Sequence, residues 1–191
     1  MPFYLQGILH LSASAVGLLF MGPSILTVAF APVSGYMTDR LGPRAPATLG
    51  AAIMVGSLAI GGILRPDSHW FLPTLVIILS ACTNGIFNPA NSMAMIGMMP
   101  KEHRGFASSV NHVTFGLGNI LGVALGSTLM AMAFEHHTGL AGVSPSTDSP
   151  DAFVAAFNTT FFAAAGLSVV AVAASFARGN EKPSLVPAAS L

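Results

Sequence analysis

The chain has 191 residues, of which 53% are hydrophobic and only 7% charged, and its formal net charge is zero. Soluble domains carry about 25% charged residues, so the composition excludes an ordinary water-soluble globule. With no basic excess it also gives no support for a nucleic-acid partner. A single cysteine, Cys82, excludes an intramolecular disulfide, and no Cys/His spacing of the metal-binding kind occurs.

Residues Met1 to His10 hold no Lys or Arg, and the first apolar run is too long for a signal-peptide core. Residues 1–13 therefore read as an extracytoplasmic segment ahead of a first span. A helix needs about 20 residues to cross about 30 Å of hydrocarbon. Five apolar runs meet that length, at about 14–37, 43–64, 71–99, 105–134 and 153–177. They predict an all-α membrane protein embedded in a lipid bilayer. Pro23 is expected to kink the first helix, since a mid-helix proline removes a backbone bond. The second run holds Gly50, Ala51, Gly56, Ala59 and Gly61, small residues that suit close helix packing.

Between these two runs lies Gly35-Tyr36-Met37-Thr38-Asp39-Arg40-Leu41-Gly42-Pro43-Arg44, the densest patch of charge in the chain. It reads as a short turn at a membrane surface. Gly35 and Gly42 permit close approach or positive φ, and Pro43 fits the first turn of the next helix. Asp39 is expected near the start of that helix, where the dipole favours an anion. Arg40 and Arg44 can pair with it or with lipid phosphate. A plain basic loop on the cytoplasmic side would have a similar composition.

The third run ends in an asparagine-rich stretch. Asn84, Asn88 and Asn91 recur at helical spacing and share one face. Such amides are costly in lipid unless bonded, and Pro89 frees a carbonyl near residue 85. That face must meet another helix or a watery cavity. Two readings stand: a cavity lining that touches substrate, or interhelical bonds worth about 0.6 kcal/mol each. Next, Arg104 is expected at the start of the fourth helix, either in a gate-closing pair with Glu102 or Asp39 or anchored to headgroups.

The fourth run carries Gly118, Gly122 and Gly126, four apart, which form a flat groove for another backbone. It also carries Asn111, His112, Phe115 and Asn119. His112 is the only ionisable residue well inside a span, which makes it a functional candidate by default, and imidazole titrates near neutral pH. Residues 135–151 read as a flexible solvated loop, with His136 and His137 solvated rather than metal-bound. Residues 178–191 read as a disordered tail.

When five spans alternate, Arg40, Arg44, Lys101, Arg104, Arg178 and Lys182 share one side. Arg65, Asp67, Glu135, Asp148 and Asp151 share the other. Cations prefer the cytoplasm, so the N-terminus is expected outside a cell membrane and the C-terminus inside.

The stretch around residue 40 resembles the loop signature G-x-L-a-D-r-x-G-r-k of the major facilitator superfamily. Gly35, Asp39, Arg40, Gly42 and Arg44 match it, with Met37 in place of Leu and Pro43 in place of a basic residue. Pro100 to Ser109 is similar to the P-x-x-x-R-G-x-A-S loop of drug exporters with fourteen spans. The resemblance implies a five-helix piece of a six-helix half, the C-terminal half of a drug:proton antiporter. In that family each half holds two inverted three-helix repeats. It further implies a truncated chain, or one completed by a missing half or a second polypeptide. In the parent protein, a small-molecule substrate would meet Asn84, Asn88, Asn91, His112 and Phe115. Asp39, Arg40, Arg44 and Arg104 would steady a gate. No cofactor or metal is implied. The alternative is a non-transporting membrane interaction protein or gene remnant that packs on a full-length relative through Gly118, Gly122 and Gly126. An enzyme is not expected, because no nucleophile–base pair or paired carboxylates can be assembled.

Overall fold

A computed structural model describes residues 1–97, 99–139, 142 and 144–177. Among these the chain forms helices and no strand. A π-helical turn, Tyr4–Ile8, precedes α1 (Ala13–Leu41), α2 (Arg44–Gly61) and α3 (Phe71–Gly97). A 3-10 turn, Lys101–His103, leads into α4 (Arg104–Thr138), and α5 (Pro150–Ala177) follows. All five α-helices are long and apolar enough to cross a membrane.

Helix ends differ from the hydropathy boundaries, for a physical reason. α1 begins where the Ser12 hydroxyl accepts the Ala15 N–H. It runs through Pro23 and Pro32 to Leu41, past the end of the apolar run. The expected surface loop thus shrinks to Gly42 and Pro43. Gly42 has φ 83° and ψ 164°, a region that essentially only glycine enters. α4 likewise continues beyond its apolar run through Glu135, His136 and His137 to Thr138. There Gly139, at φ 69°, donates its N–H to Glu135 O at 2.8 Å and ends the helix. Both histidines therefore lie in a last helical turn rather than in a loop, at the end where a cation is favoured. α2 stops at Gly61, and the residues up to 70 form turns.

α3 is the spine. It packs on α1 along one side and α2 along another; α2 carries α5, and α5 carries α4. Small hydroxyls fasten neighbours to the α3 backbone. Thr27 Oγ1 donates to Ala81 O at 3.2 Å, Ser34 Oγ to Ile86 O at 2.6 Å, and Ser57 Oγ to Val76 O at 2.9 Å. Without a hydrophobic force between helices in lipid, such bonds and close packing do the joining. Glycine makes the approach possible. A Cβ on Gly50 would lie 2.9 Å from Phe87 Cβ, and one on Gly85 2.7 Å from Thr27 O.

Antiparallel neighbours sort the charges by end. Thr48 on α2 meets Ser175 on α5 at 3.2 Å, and Asn111 on α4 donates to Ser92 on α3 at 3.0 Å. Those pairs fix one end of the bundle, which carries Arg40, Arg44, Lys101 and Arg104. The opposite end carries Arg65, Asp67, Glu135, Asp148 and Asp151. Arg178 and Lys182 lie outside the described residues, as does the tail at 178–191.

The apolar core gathers at the Arg65 end. Tyr4 and Leu5 are wholly buried there with Val16, Leu64, Ile77, Phe134, Phe153 and Phe157. Tyr4, Leu5 and Ile8 of the N-terminal segment are thus built into the core. Tyr4 donates its hydroxyl to Arg65 O, and Asn158 Nδ2 donates to Leu64 O at 2.9 Å. Together they hold the segment after α2. Burial pushes the Tyr4 phenol above its ordinary pKa, so the group stays a donor.

Candidate functional site

The signature stretch folds as the end of α1, a two-residue turn and the start of α2. Asp39 is therefore in the last turn of α1, at the carbonyl end of a dipole, and not near the start of α2. Arg40 occupies that same turn, where a cation is favoured, and its guanidinium lies 5.4 Å from the Tyr36 ring centroid. Arg44 opens α2 and sits 4.5 Å over the Phe176 ring of α5. Gly35 is inside α1, and a Cβ there would have no neighbour within 4 Å, so its size serves no close approach among the described residues.

Arg104 starts α4 and directs its Nε to Met99 O at 3.5 Å, which braces the turn between α3 and α4. Among the described residues no ion pair joins it to Glu102 or Asp39. The gate-closing pair considered from sequence is absent from this conformation.

On α3, Asn84 and Asn88 bond along their own helix. Asn84 Nδ2 donates to Ser80 O at 2.8 Å, and Asn88 Nδ2 donates to Asn84 Oδ1 at 3.2 Å. Neither bond reaches another helix, so these two amides do not glue this bundle together. Asn84 is exposed and Asn88 half-buried. Each side-chain amide offers two N–H donors and an oxygen, so the ladder keeps capacity for a further partner. Asn91, half-buried, lies one turn further along α3.

α4 meets α3 at the Asn111–Ser92 bond. His112 and Phe115, one turn apart, are both exposed. Gly118, Gly122 and Gly126 also have nothing within 4 Å of a Cβ among the described residues, so the stripe packs on no described helix. Close approaches fall instead at Gly7, Gly50, Gly61, Gly62 and Gly85. A second open feature lies at the Arg65 end. There a cavity of about 560 Å³ is lined by Phe3, Ser127, Met130, Phe157, Thr160 and Phe161. Phe153, Phe157 and Phe161 stack down α5 at centroid distances of 6.2 and 4.4 Å. Sequence reading passed over them, although their four-residue spacing marks one helical face.

Five long apolar helices, with Arg, Lys, Asp and Glu side chains at their ends, define a multi-pass membrane protein. The sequence profile described as Major Facilitator Superfamily matches residues 1–190. The chain belongs to the major facilitator superfamily. It is similar to the riboflavin transporter RibZ of Clostridioides difficile, 24% identical over 89% of this chain and 36% of that protein. It is 31% identical to the uncharacterized transporter YebQ of Escherichia coli over 69% of this chain and 28% of that protein. A multidrug resistance protein B homolog of Mycobacterium tuberculosis is 28% identical over 71% of this chain and 26% of its own length. The chain thus spans about a third or less of the relatives it matches.

Proposed function

We propose that this chain forms part of a small-molecule efflux transporter driven by protons, with the Asn84–Asn88 ladder on the substrate path. The carrying observation is that ladder: amides on a membrane helix, partly exposed, bonded only to their own helix. An exposed amide is costly against lipid, so water, substrate or further helices belong there. The similarity to a riboflavin transporter and a multidrug resistance homolog supports transport of a small organic solute. On this reading His112 and Phe115 join Asn84, Asn88 and Asn91 along the path. Asp39, Arg40, Arg44 and Arg104 steady the gate at the basic end, which faces the cytoplasm.

The test is export by a transporter that contains this chain as a segment. Asn88→Leu removes a neutral bonding partner and is expected to weaken export roughly two- to tenfold, the size of one hydrogen bond. Asp39→Ala is expected to lower export as well. Unchanged resistance or uptake in both variants would overturn the path and gate roles together.

A second reading is a non-transporting chain that packs on a partner polypeptide through Gly118, Gly122 and Gly126. The bare stripe favours it. Here the chain should co-purify with a second membrane protein, and Gly122→Leu should break that association while leaving the isolated chain folded. Purification of the chain free of any partner sinks this reading.

A further inference from the structure

At the basic end a groove lies between the first turns of α2, the last turn of α5 and the end of α1. Its volume is about 360 Å³, and Leu41, Arg44, Thr48, Leu49, Ala52 and Phe176 line it. We propose that it seats one anionic phospholipid, with the phosphate on Arg44 and an acyl chain along Leu49 and Ala52.

The argument rests on complementarity of charge and of surface. Arg44 carries the charge at the rim. Its guanidinium is fixed over the Phe176 ring at 4.5 Å, and no carboxylate of the described residues forms an ion pair with it. A guanidinium suits phosphate because its planar fork can donate two parallel bonds. The start of α2 adds to this field. Pro43 supplies no side-chain cap and Pro46 has no N–H, so the Arg44 and Ala45 N–H groups are the donors at the positive end of the α2 dipole. Below the rim the walls change character. Leu41 is 52% exposed, Leu49 44% and Phe176 65%, and all lie on helices long and apolar enough to span the membrane. Thr48 and Ser175 bond to each other at 3.2 Å beside the groove. A soluble anion gains nothing from the apolar walls, and a neutral lipid gains little from Arg44. An anionic phospholipid uses both.

The purified chain in detergent is titrated with phosphatidylglycerol, with phosphatidylcholine and with inorganic phosphate, and bound lipid is read by native mass spectrometry. Phosphatidylglycerol is expected to bind more tightly than phosphatidylcholine. Arg44→Ala should weaken phosphatidylglycerol about fivefold, the usual worth of one cation near an anionic headgroup, and leave phosphatidylcholine unchanged. Ala52→Phe fills the exposed acyl wall and should weaken both lipids. If circular dichroism shows Arg44→Ala to be unfolded, Ala52→Phe decides alone. Equal binding of the two lipids, indifference to either folded variant, or full displacement of phosphatidylglycerol by inorganic phosphate would overturn the assignment.

Discussion

Gly85→Leu is expected to separate α1 from α3 and cost at least about 3 kcal/mol, the upper end for an overpacked site. A Cβ at position 85 meets Thr27 O at 2.7 Å and Phe30 Cβ at 2.8 Å. The first of these is backbone, which cannot swing aside as a side chain can. Relief therefore means moving α1 as a whole. That movement strains the bonds on either side of the clash, Thr27 to Ala81 O and Ser34 to Ile86 O. Thermal unfolding in detergent, followed by size-exclusion of the surviving folded fraction, reads the effect. Gly122→Ala is the control, since nothing among the described residues lies within 4 Å of a Cβ there. If Gly85→Leu melts with the parent chain, the close approach of α1 to α3 is refuted.

Phe157→Ala is expected to cost about 3–5 kcal/mol, the range for deleting a buried aromatic side chain. Phe157 is only 7% exposed. It stacks with Tyr4 at 5.5 Å, Phe153 at 6.2 Å and Phe161 at 4.4 Å, so its loss ends three ring contacts together. It also borders the cavity of about 560 Å³, so the vacated space joins an existing void instead of closing. Tyr4 then loses the ring that holds it against the Arg65 carbonyl. The same melting assay, repeated on Phe162→Ala at the exposed side of α5, gives the comparison. Equal melting of the two variants would mean that the stack contributes nothing.

The spans were legible because lipid thickness forces a run of about 20 apolar residues. Asparagine spacing on α3 was legible for the same kind of reason, since helical periodicity puts residues four apart on one face. Helix ends were not. Hydropathy reports what lipid accepts, whereas a helix ends where its backbone bonds find a cap. Asp39 and Glu135 therefore sit in helical turns that composition assigned to loops. Nor could the sequence tell which glycines are used. Regular spacing drew attention to Gly118, Gly122 and Gly126, yet the approaches occur at Gly7, Gly50, Gly61, Gly62 and Gly85, which share no regular spacing. Small residues state where a backbone can come near; the arrangement of helices decides where it does. The roles of His112 and Phe115 were equally out of reach, because both are exposed and none of the described residues hydrogen-bonds to His112.

The junction of α1 and α2 has a mechanical consequence. Only Gly42 and Pro43 separate the two helices, and the pyrrolidine ring fixes the second of them near φ −69°. Such a joint has almost no slack. A tilt of α1 cannot be absorbed in a linker and must be handed to α2 as a lever arm, with Gly42 as the single pivot. Through Thr48 and Ser175 the same displacement reaches α5. Three membrane-crossing rods are thereby geared together at one surface.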